Sequence, residues 1–430
     1  MYFLRLFLLC CSTLALPLAA QQTASPKTLA DWDIRPILGM QGWGTYTAGF
    51  EDYDSGLERY VPVDNRVNFM IRRLRFGSVA KVGDRVLLKF LGAGDFVGAD
   101  QRSATIGGVN NGGFPNLQIW DLFLQYRISR ESEALYAIGG YLRPPIGRES
   151  MSGAFGVSSF EKGFNQWYVR QHLVGTGPGG VGGAYLGGLR QLADNVHVDY
   201  RGGVFNAQNA GISEGRMTSP LLAGRINFMF GDPEKSTWSY GLPAANSFGK
   251  RKTVALALNV AHEGPTATAT GGIDLLGVDF VVDRGHFHVE GEYHAMNRRV
   301  ADDALPELFS ATYMLRAGFN IQVPPARGST APRYLEPTVM VYGFDGTTDP
   351  AEYQTVLATD YFGGTERVVD FGLNYHLRPG KVRLGLHYTA FTGDLGALPP
   401  DGRHNWTFRQ AGIGGIRRGG YGGFEVIVNY

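Results

Sequence analysis

Apolar and polar residues alternate with a period of two along most of this chain. The clearest segment has apolar side chains at every second position: Trp120, Leu122, Leu124, Tyr126 and Ile128. Polar side chains, among them those of Asp121 and Arg127, occupy positions between them. Because successive side chains of a β-strand point to opposite faces, the pattern predicts strands with one apolar and one polar face.

The alternation predicts sixteen strands, with eighteen as the alternative. They cover residues 34–48, 66–82, 85–96, 116–129, 134–143, 181–191, 196–207, 219–230, 251–263, 273–283, 286–297, 311–323, 334–345, 366–377, 381–392 and 421–430. Alternating segments of about ten residues are what a membrane-spanning strand requires, whereas strands of soluble sandwiches average about 5–6. The predicted fold class is all-β: a transmembrane antiparallel β-barrel over residues 34–430.

The lengths of the connectors support the same fold. Short connectors such as Gly83-Asp84 and Arg284-Gly285 alternate with long ones rich in Gly, Asn, Asp and Ser, which is typical of an outer-membrane barrel with long extracellular loops. Residues 231–250 fall on the short side yet are long, and residues 405–416 are ambiguous between loop and strand. Sixteen to eighteen strands leave an aqueous lumen, so the pattern predicts a pore.

The first twenty residues have the layout of a cleaved signal peptide. A short basic start precedes an apolar core from Leu6 to Leu16, which is too short to span a membrane. We expect residues 1–20 to be removed and residues 21–33 to form a short periplasmic segment. Cys10 and Cys11 are the only cysteines, so the exported chain would have no disulfide.

Composition narrows the class further. The 430 residues include 61 glycines and 12% aromatics but only 18% charged residues, and no apolar run reaches the ~20 residues of a spanning helix. Without the signal peptide, 39 basic residues face 39 acidic ones. Nucleic-acid binding normally leaves a basic excess, so no nucleic-acid partner is expected.

The last strand ends on an aromatic residue. Phe424, Val426, Val428 and Tyr430 share one parity at the C-terminus. This ending resembles the signal by which bacterial outer-membrane barrels are recognised for assembly, although Phe is the usual last residue. We therefore expect an outer-membrane location, with membrane lipid and the barrel-assembly machinery as partners.

Several segments resemble, in order, those of the phosphate-selective porin O and P family. They are Ile71 to Gly77 (Arg-Arg-x-Arg-x-Gly), Gly140 to Glu149, Ser158 to Lys162, Gly203 to Asn206, Gly291 to Tyr293, and Gly372 to Tyr375. The chain departs from the family's Tyr-Glu-Pro-x-x-Arg, since Thr338, Val339 and Met340 follow Glu336-Pro337. The resemblance implies a sixteen-stranded, usually trimeric porin whose third long loop folds inward to narrow the pore; residues 144–180 occupy that position.

The polar faces predict two lumen walls of opposite charge. The early strands would line the pore with the candidate anion-binding residues Arg73, Arg75, Lys81, Arg85, Lys89, Arg127, Arg201 and Arg225. The later strands would contribute mainly acids: Asp279, Asp283, Glu290, Glu292, Glu336, Glu366 and Asp370. Rows of charge select ions by their field, so we expect small solutes to pass with a preference for anions.

The third long loop adds candidate constriction residues. These are Arg148, Lys162 and Arg170, with Glu149 and Glu161 among them. An arginine fork matches phosphate oxygens, which makes phosphate or polyphosphate selectivity a finer hypothesis. Simple solvation of these charges is the alternative for any single residue.

Metal binding and catalysis have less support. Five residues of one strand face share His or Glu character: His286, His288, Glu290, Glu292 and His294. Consecutive same-face residues lie ~7 Å apart, too far for a compact zinc site, so a polar lumen stripe is favoured. We predict no cofactor, metal or catalytic residue. A barrel-borne hydrolase and a structural or adhesive barrel remain as alternatives.

Overall fold

The chain forms a closed antiparallel β-barrel in the computed structural model, which describes residues 32–103, 117–206, 219–265, 270–300, 304–325, 328 and 330–430. Sixteen strands of this part of the chain build the barrel wall. They are β1 (Trp32–Thr47), β4 (Arg66–Val82), β5 (Val86–Val97), β6 (Gln118–Arg127), β7 (Tyr136–Leu142), β8 (Val181–Ala193), β9 (Val196–Phe205), β10 (Leu221–Gly231), β11 (Lys252–Glu263), β12 (Thr270–Arg284), β13 (Phe287–Val300), β14 (Leu308–Phe319), β16 (Arg333–Asp345), β17 (Thr365–Arg378), β18 (Val382–Asp394) and β21 (Tyr421–Asn429).

The first and last strands close the barrel. β1 pairs with β21 on one side, with Gly39 opposite Asn429, and with β4 on the other, with Gln41 opposite Arg73. Both strands therefore have a paired neighbour on each side, and closure removes the sheet edges. The short strand β15 (Ile321–Val323) continues β14 along the same partner, β16.

The prediction of sixteen alternating strands is confirmed. Along β11 the outward Leu256 is 52% exposed whereas the inward Ala257 is 1% exposed. The outer face is apolar, and the inner face carries the buried polar and charged side chains. Short connectors gather at one end of the barrel, the short-turn end, where the connector between β10 and β11 is the long exception; the other long connectors gather at the opposite, long-loop end.

The long loops contain structure that the alternation did not predict. Four short strands form a separate sheet: β2 (Glu51–Asp54), β3 (Arg59–Pro62), β19 (Arg409–Gln410) and β20 (Gly414–Arg417). The ambiguous residues 405–416 thus contribute to this loop sheet and add no barrel strand. Helices α1 (Arg148–Met151), α2 (Asn165–Val174) and α3 (Tyr353–Thr359) lie in connectors, as do short 3-10 turns at Ala154–Gly156, Pro350–Glu352 and Trp406–Phe408.

None of the helices in the described ranges is long and apolar enough to cross a membrane. The predicted signal peptide lies outside the described residues, as does all of the predicted periplasmic segment except Trp32 and Asp33 at the start of β1.

One strand glycine shows why the chain uses glycine inside strands. Gly140 in β7 has a φ of 144°, a conformation that side chains disfavour. A Cβ at this position would lie 2.4 Å from the Leu122 carbonyl oxygen of β6. The close approach of β6 and β7 therefore depends on glycine here.

Candidate functional site

The third long loop, residues 143–180, folds into the barrel and packs against the acidic wall. The Asn165 side chain donates to Glu292 at 2.6 Å, and the Tyr168 hydroxyl donates to Glu366 at 2.7 Å. The Ser158 hydroxyl donates to Glu336 at 2.6 Å. All three carboxylates are buried by these contacts. Much of the acidic wall is therefore covered by the loop.

A buried ionic cluster fixes the start of the loop. Arg316 of β14 donates to Glu149 at 2.6 Å and to Glu290 at 2.5 Å. Glu149 also accepts the backbone N–H of Gly163 at 2.7 Å, which joins the start of the loop to its middle. One guanidinium thus neutralises an acid of the wall and an acid of the loop together.

A second segment enters the lumen from the short-turn end. The unusually long connector between β10 and β11 folds inward, where Trp238 is 1% exposed. Its Glu234 accepts a 2.6 Å hydrogen bond from Arg148, and its Leu242 N–H donates to the Met151 carbonyl at 3.2 Å. The two inward segments therefore meet inside the barrel and fill part of the lumen.

A cavity of about 300 Å³ remains between the third long loop and the opposite wall. It extends towards the short-turn end, where Ile37 and Asn429 line it. Seven cationic side chains line it: Arg72, Arg73, Arg75, Lys89, Arg143, Lys162 and Arg170. Two carboxylates, those of Asp95 and Asp121, accompany them.

Two β-bulges bring extra side chains into this cavity. In β4, Gln41 pairs with Arg73 and Gly42 pairs with Ile71, so Arg72 has no opposite residue. In β6, the same irregularity leaves Trp120 unpaired between Ile119 and Asp121. A bulge breaks the alternation and re-aims a side chain, so neighbouring residues face inward together.

The prediction that Trp120 shares the outer face with Leu122 is therefore wrong. The bulge places the indole in the cavity, with the Arg75 guanidinium 4.4 Å from its ring centroid. Sequence parity also missed Arg72, because a bulge has no signature in the period-two pattern.

Most cations of the early strands are paired. Arg75 donates to Asp95 at 2.5 Å, and Lys89 donates to Asp121 at 2.9 Å. Arg72 and Arg73 both form ion pairs with Glu161 of the loop. These pairs hold the arginines in position while leaving the lining with more cations than carboxylates.

Two cations of the loop have no such pairing. Lys162 donates to the carbonyls of Glu149 and Ser152, and Arg170 donates to the hydroxyl and carbonyl of Ser150, at 2.9 and 2.7 Å. Within the described residues neither forms an ion pair with a carboxylate. Burial lowers the pKa of Lys162 well below its ordinary value, and burial lowers the pKa of Arg170 to about 9.

The other predicted site residues lie outside this cavity. Arg201 and Arg225 form buried pairs with Asp199 and Asp279 at 2.8 and 2.6 Å. Lys81 is exposed, and Arg85 donates to backbone carbonyls near a turn. Arg127 pairs with Glu133, and Arg148 is fully buried. The structure therefore gathers Arg73, Arg75, Lys89, Lys162 and Arg170, and adds Arg72, Arg143 and Trp120.

The predicted histidine and glutamate stripe is divided among separate partners. His288 contacts Glu336 at 2.9 Å, Glu290 binds Arg316, and Glu292 binds Asn165. His286 is exposed at a turn. No group of three His, Cys, Asp or Glu side chains in the described ranges is arranged to hold a metal ion.

Ser158, His288 and Glu336 approach the composition of a hydrolytic triad but not its geometry. The Ser158 hydroxyl lies 3.2 Å from His288 Nε2, and Glu336 lies 2.9 Å from the same nitrogen. A triad needs the acid on the other ring nitrogen, where it orients the base. Here Glu336 instead joins the loop to the wall.

Comparison with solved structures shows which fold this barrel shares. It is similar to the outer membrane channel DcaP of Acinetobacter baumannii, with a TM-score of 0.54 and 12% identity over 95% of this chain and 100% of that chain. For OprB of Pseudomonas putida the TM-score is 0.53 and the identity is 7%, over 92% of this chain and 94% of that chain. For an anion-selective porin from Comamonas acidovorans the TM-score is 0.52 and the identity is 10%, over 93% of this chain and 100% of that chain.

These likenesses show a shared fold with porin-type outer-membrane proteins. No protein-family model matches the chain, and no curated protein sequence matches it significantly. The resemblance to the phosphate-selective porin O and P family stays a prediction.

Proposed function

We propose that this protein is an outer-membrane channel for passive diffusion of small hydrophilic solutes, with a preference for anions. A closed sixteen-strand wall with an apolar outer face suits a lipid bilayer, because each strand is hydrogen-bonded to a neighbour on both sides and the sheet has no free edge. The polar interior provides the path for hydrated solutes.

The observation that carries the anion preference is the unequal use of the two walls. The third long loop covers acids of the later strands, whereas the remaining cavity is lined by seven cations and two carboxylates. A constriction of one sign raises the local concentration of the opposite ion. Anions should therefore enter this path more easily than cations.

The reversal potential of purified protein in planar bilayers tests this proposal. Under a potassium chloride gradient, the sign of the potential should indicate that chloride crosses more readily than potassium. Step conductances with a cation-selective reversal potential would contradict the anion preference. The absence of any conductance would contradict the channel itself.

Phosphate and polyphosphate are the finer candidates for the solute. Arg72, Arg73 and Arg75 present guanidinium forks in one cavity, and such forks match phosphate oxygens. Phosphate added to a chloride solution should then reduce the chloride current by occupying this site. An unchanged chloride current at saturating phosphate would remove phosphate from the proposal.

Assembly partners follow from the same fold. We propose a homotrimer in outer-membrane lipid, assembled through recognition of the last strand, in which Tyr430 is 76% exposed. Deletion of Tyr430 should lower the amount of folded protein in the outer membrane. Chemical crosslinking in membranes should yield a species of three linked chains. If only monomers were found after crosslinking, the trimer would be contradicted.

A further inference from the structure

The cavity beside the third long loop contains apolar rings among its cations. Trp120 of β6, Phe155 of the loop and Trp167 of α2 all line it, and each ring is only partly buried. Three different segments therefore present aromatic surface to the same space. A path that only attracted small hydrated anions would have no use for this surface, because water in contact with it is unfavourable.

The Trp120 ring is held in place by cations. The Arg75 and Arg143 guanidiniums lie 4.4 and 5.3 Å from its centroid. Arg143 and Lys89 also lie 5.8 and 5.7 Å from the centroid of Tyr240. Cationic groups and aromatic rings thus lie side by side around this part of the cavity, and such a surface accepts a flat ring by stacking.

The loop side of the cavity supplies unpaired positive charge. Lys162 and Arg170 are each 5% exposed, line the cavity and have no carboxylate in an ion pair among the described residues. A buried cation without a counterion is unfavourable, and a bound anion would relieve it. A ligand of this site should therefore provide both a negative charge and an apolar surface.

The size of the cavity excludes a close fit to a simple ion. About 300 Å³ is roughly ten times the ~30 Å³ that one water takes up in the liquid. It lies at the lower end of the ~300–1,000 Å³ range of small-molecule pockets. A single chloride or phosphate would leave the rings in contact with water.

We propose that this cavity binds an organic anion in which a carboxylate is attached to a flat apolar ring, that is, an aromatic carboxylate. The carboxylate meets Lys162, Arg170 and the arginines, and the ring packs against Trp120 and Trp167. This inference deepens the proposed channel function, because the same cavity would be the passage. Inorganic phosphate satisfies the charges but not the rings.

Calorimetric titration of the full chain in detergent tests the binding site without requiring ion flow. Benzoate, acetate and inorganic phosphate are the probes. Benzoate should bind about tenfold more tightly than acetate, because burial of one ring face removes apolar area from water. Equal binding of acetate and benzoate, or tighter binding of phosphate than of benzoate, would overturn the proposal.

Variants locate the two requirements. Trp120→Ala should weaken benzoate binding about tenfold and leave acetate binding unchanged, and Trp167→Leu should act in the same direction if the first variant fails to fold. Phe371→Ala, which removes a ring 53% exposed on the outer face, is the matched control and should change neither. Arg170→Gln should weaken the binding of both acetate and benzoate. Loss of acetate and benzoate binding in equal proportion in Trp120→Ala would overturn the role of the ring.

The two proposals fail in different ways. Selective benzoate binding in a protein that carries no current would overturn the channel and leave the binding site standing. Anion-selective current with no preference for benzoate over acetate would leave the channel and overturn the binding site.

Discussion

The early and late halves of the barrel wall have the same alternating pattern but different surroundings. Acids of the late half, such as Glu292 and Glu366, accept hydrogen bonds from the third long loop and are buried. Cations of the early half, such as Arg75 and Lys89, line the open cavity even though they pair with Asp95 and Asp121. The difference shows that the charge of a barrel interior says little until the covered part is known.

The chemistry of the loop explains why it covers the acidic side. It presents amide and hydroxyl donors, such as Asn165 and Tyr168, and the Arg148 guanidinium, which lies 3.5 Å from Asp279. Carboxylates accept these bonds, whereas arginines cannot accept any. The loop carries Glu161 on the side that meets Arg72 and Arg73.

Replacement of the third long loop should have the largest effect on the difference between the two halves of the wall. If a short Gly-Ser linker replaces residues 148–174, the acidic wall becomes exposed and the lumen becomes wider. We expect a several-fold larger single-channel conductance and a loss or reversal of the anion preference. A Gly-Ser replacement of exposed residues in the connector 395–404 is the control and should leave the reversal potential unchanged. A loop variant with unaltered selectivity would show that the acids do not influence the current.

Arg316→Met tests whether the covered side holds the loop. This change leaves Glu149 and Glu290 without their shared counterion in a buried site. Breaking a buried pair costs about 3–5 kcal/mol in the free energy of unfolding. Arg367→Met breaks the half-exposed pair with Asp345 and should cost only about 0–1 kcal/mol. Urea unfolding of both variants provides the comparison, and equal costs would contradict the assignment of Arg316 as the loop's ionic support.

Arg75→Gln tests whether the cations that line the cavity set the anion selectivity. Removal of one cavity cation leaves Asp95 less compensated, so the lumen field should become less positive. We expect the reversal potential in a potassium chloride gradient to shift towards lower anion selectivity, with a similar conductance. Arg403→Gln, an exposed loop change, should shift nothing, since Arg403 pairs with Asp360 at the long-loop end. Equal shifts in the two variants would mean that overall charge, and not the cavity, sets the selectivity.

The sequence predicted the wall because lipid outside and water inside impose opposite demands on alternate residues. It predicted the interior less well. Arg201 has the inward parity of Arg75, yet it pairs with Asp199 away from the cavity, and no pattern along one strand reveals such a partner. The bulge at Trp120 shifts parity at one residue, which alternation cannot show. The length of residues 231–250 was visible, but its inward fold depends on contacts such as Glu234 with Arg148.

The smallest expected effect concerns protonation on the open side. Burial lowers the pKa of Lys162, and the nearby Arg170, Arg143 and Arg73 lower it further, while Glu149 raises it. Lys162 therefore loses its proton at a lower pH than an exposed lysine, and the cavity then loses one positive charge.

Anion selectivity should consequently fall as the pH rises through a range in which an ordinary lysine stays charged. Lys162→Arg keeps its charge over this range, because the pKa of arginine starts about two units higher, and its selectivity should vary less. Reversal potentials measured at each pH compare the two proteins. A wild-type selectivity that does not change with pH would contradict the titration of Lys162, and an equal slope in both proteins would place the controlling group elsewhere in the lumen, on another cation or on a carboxylate.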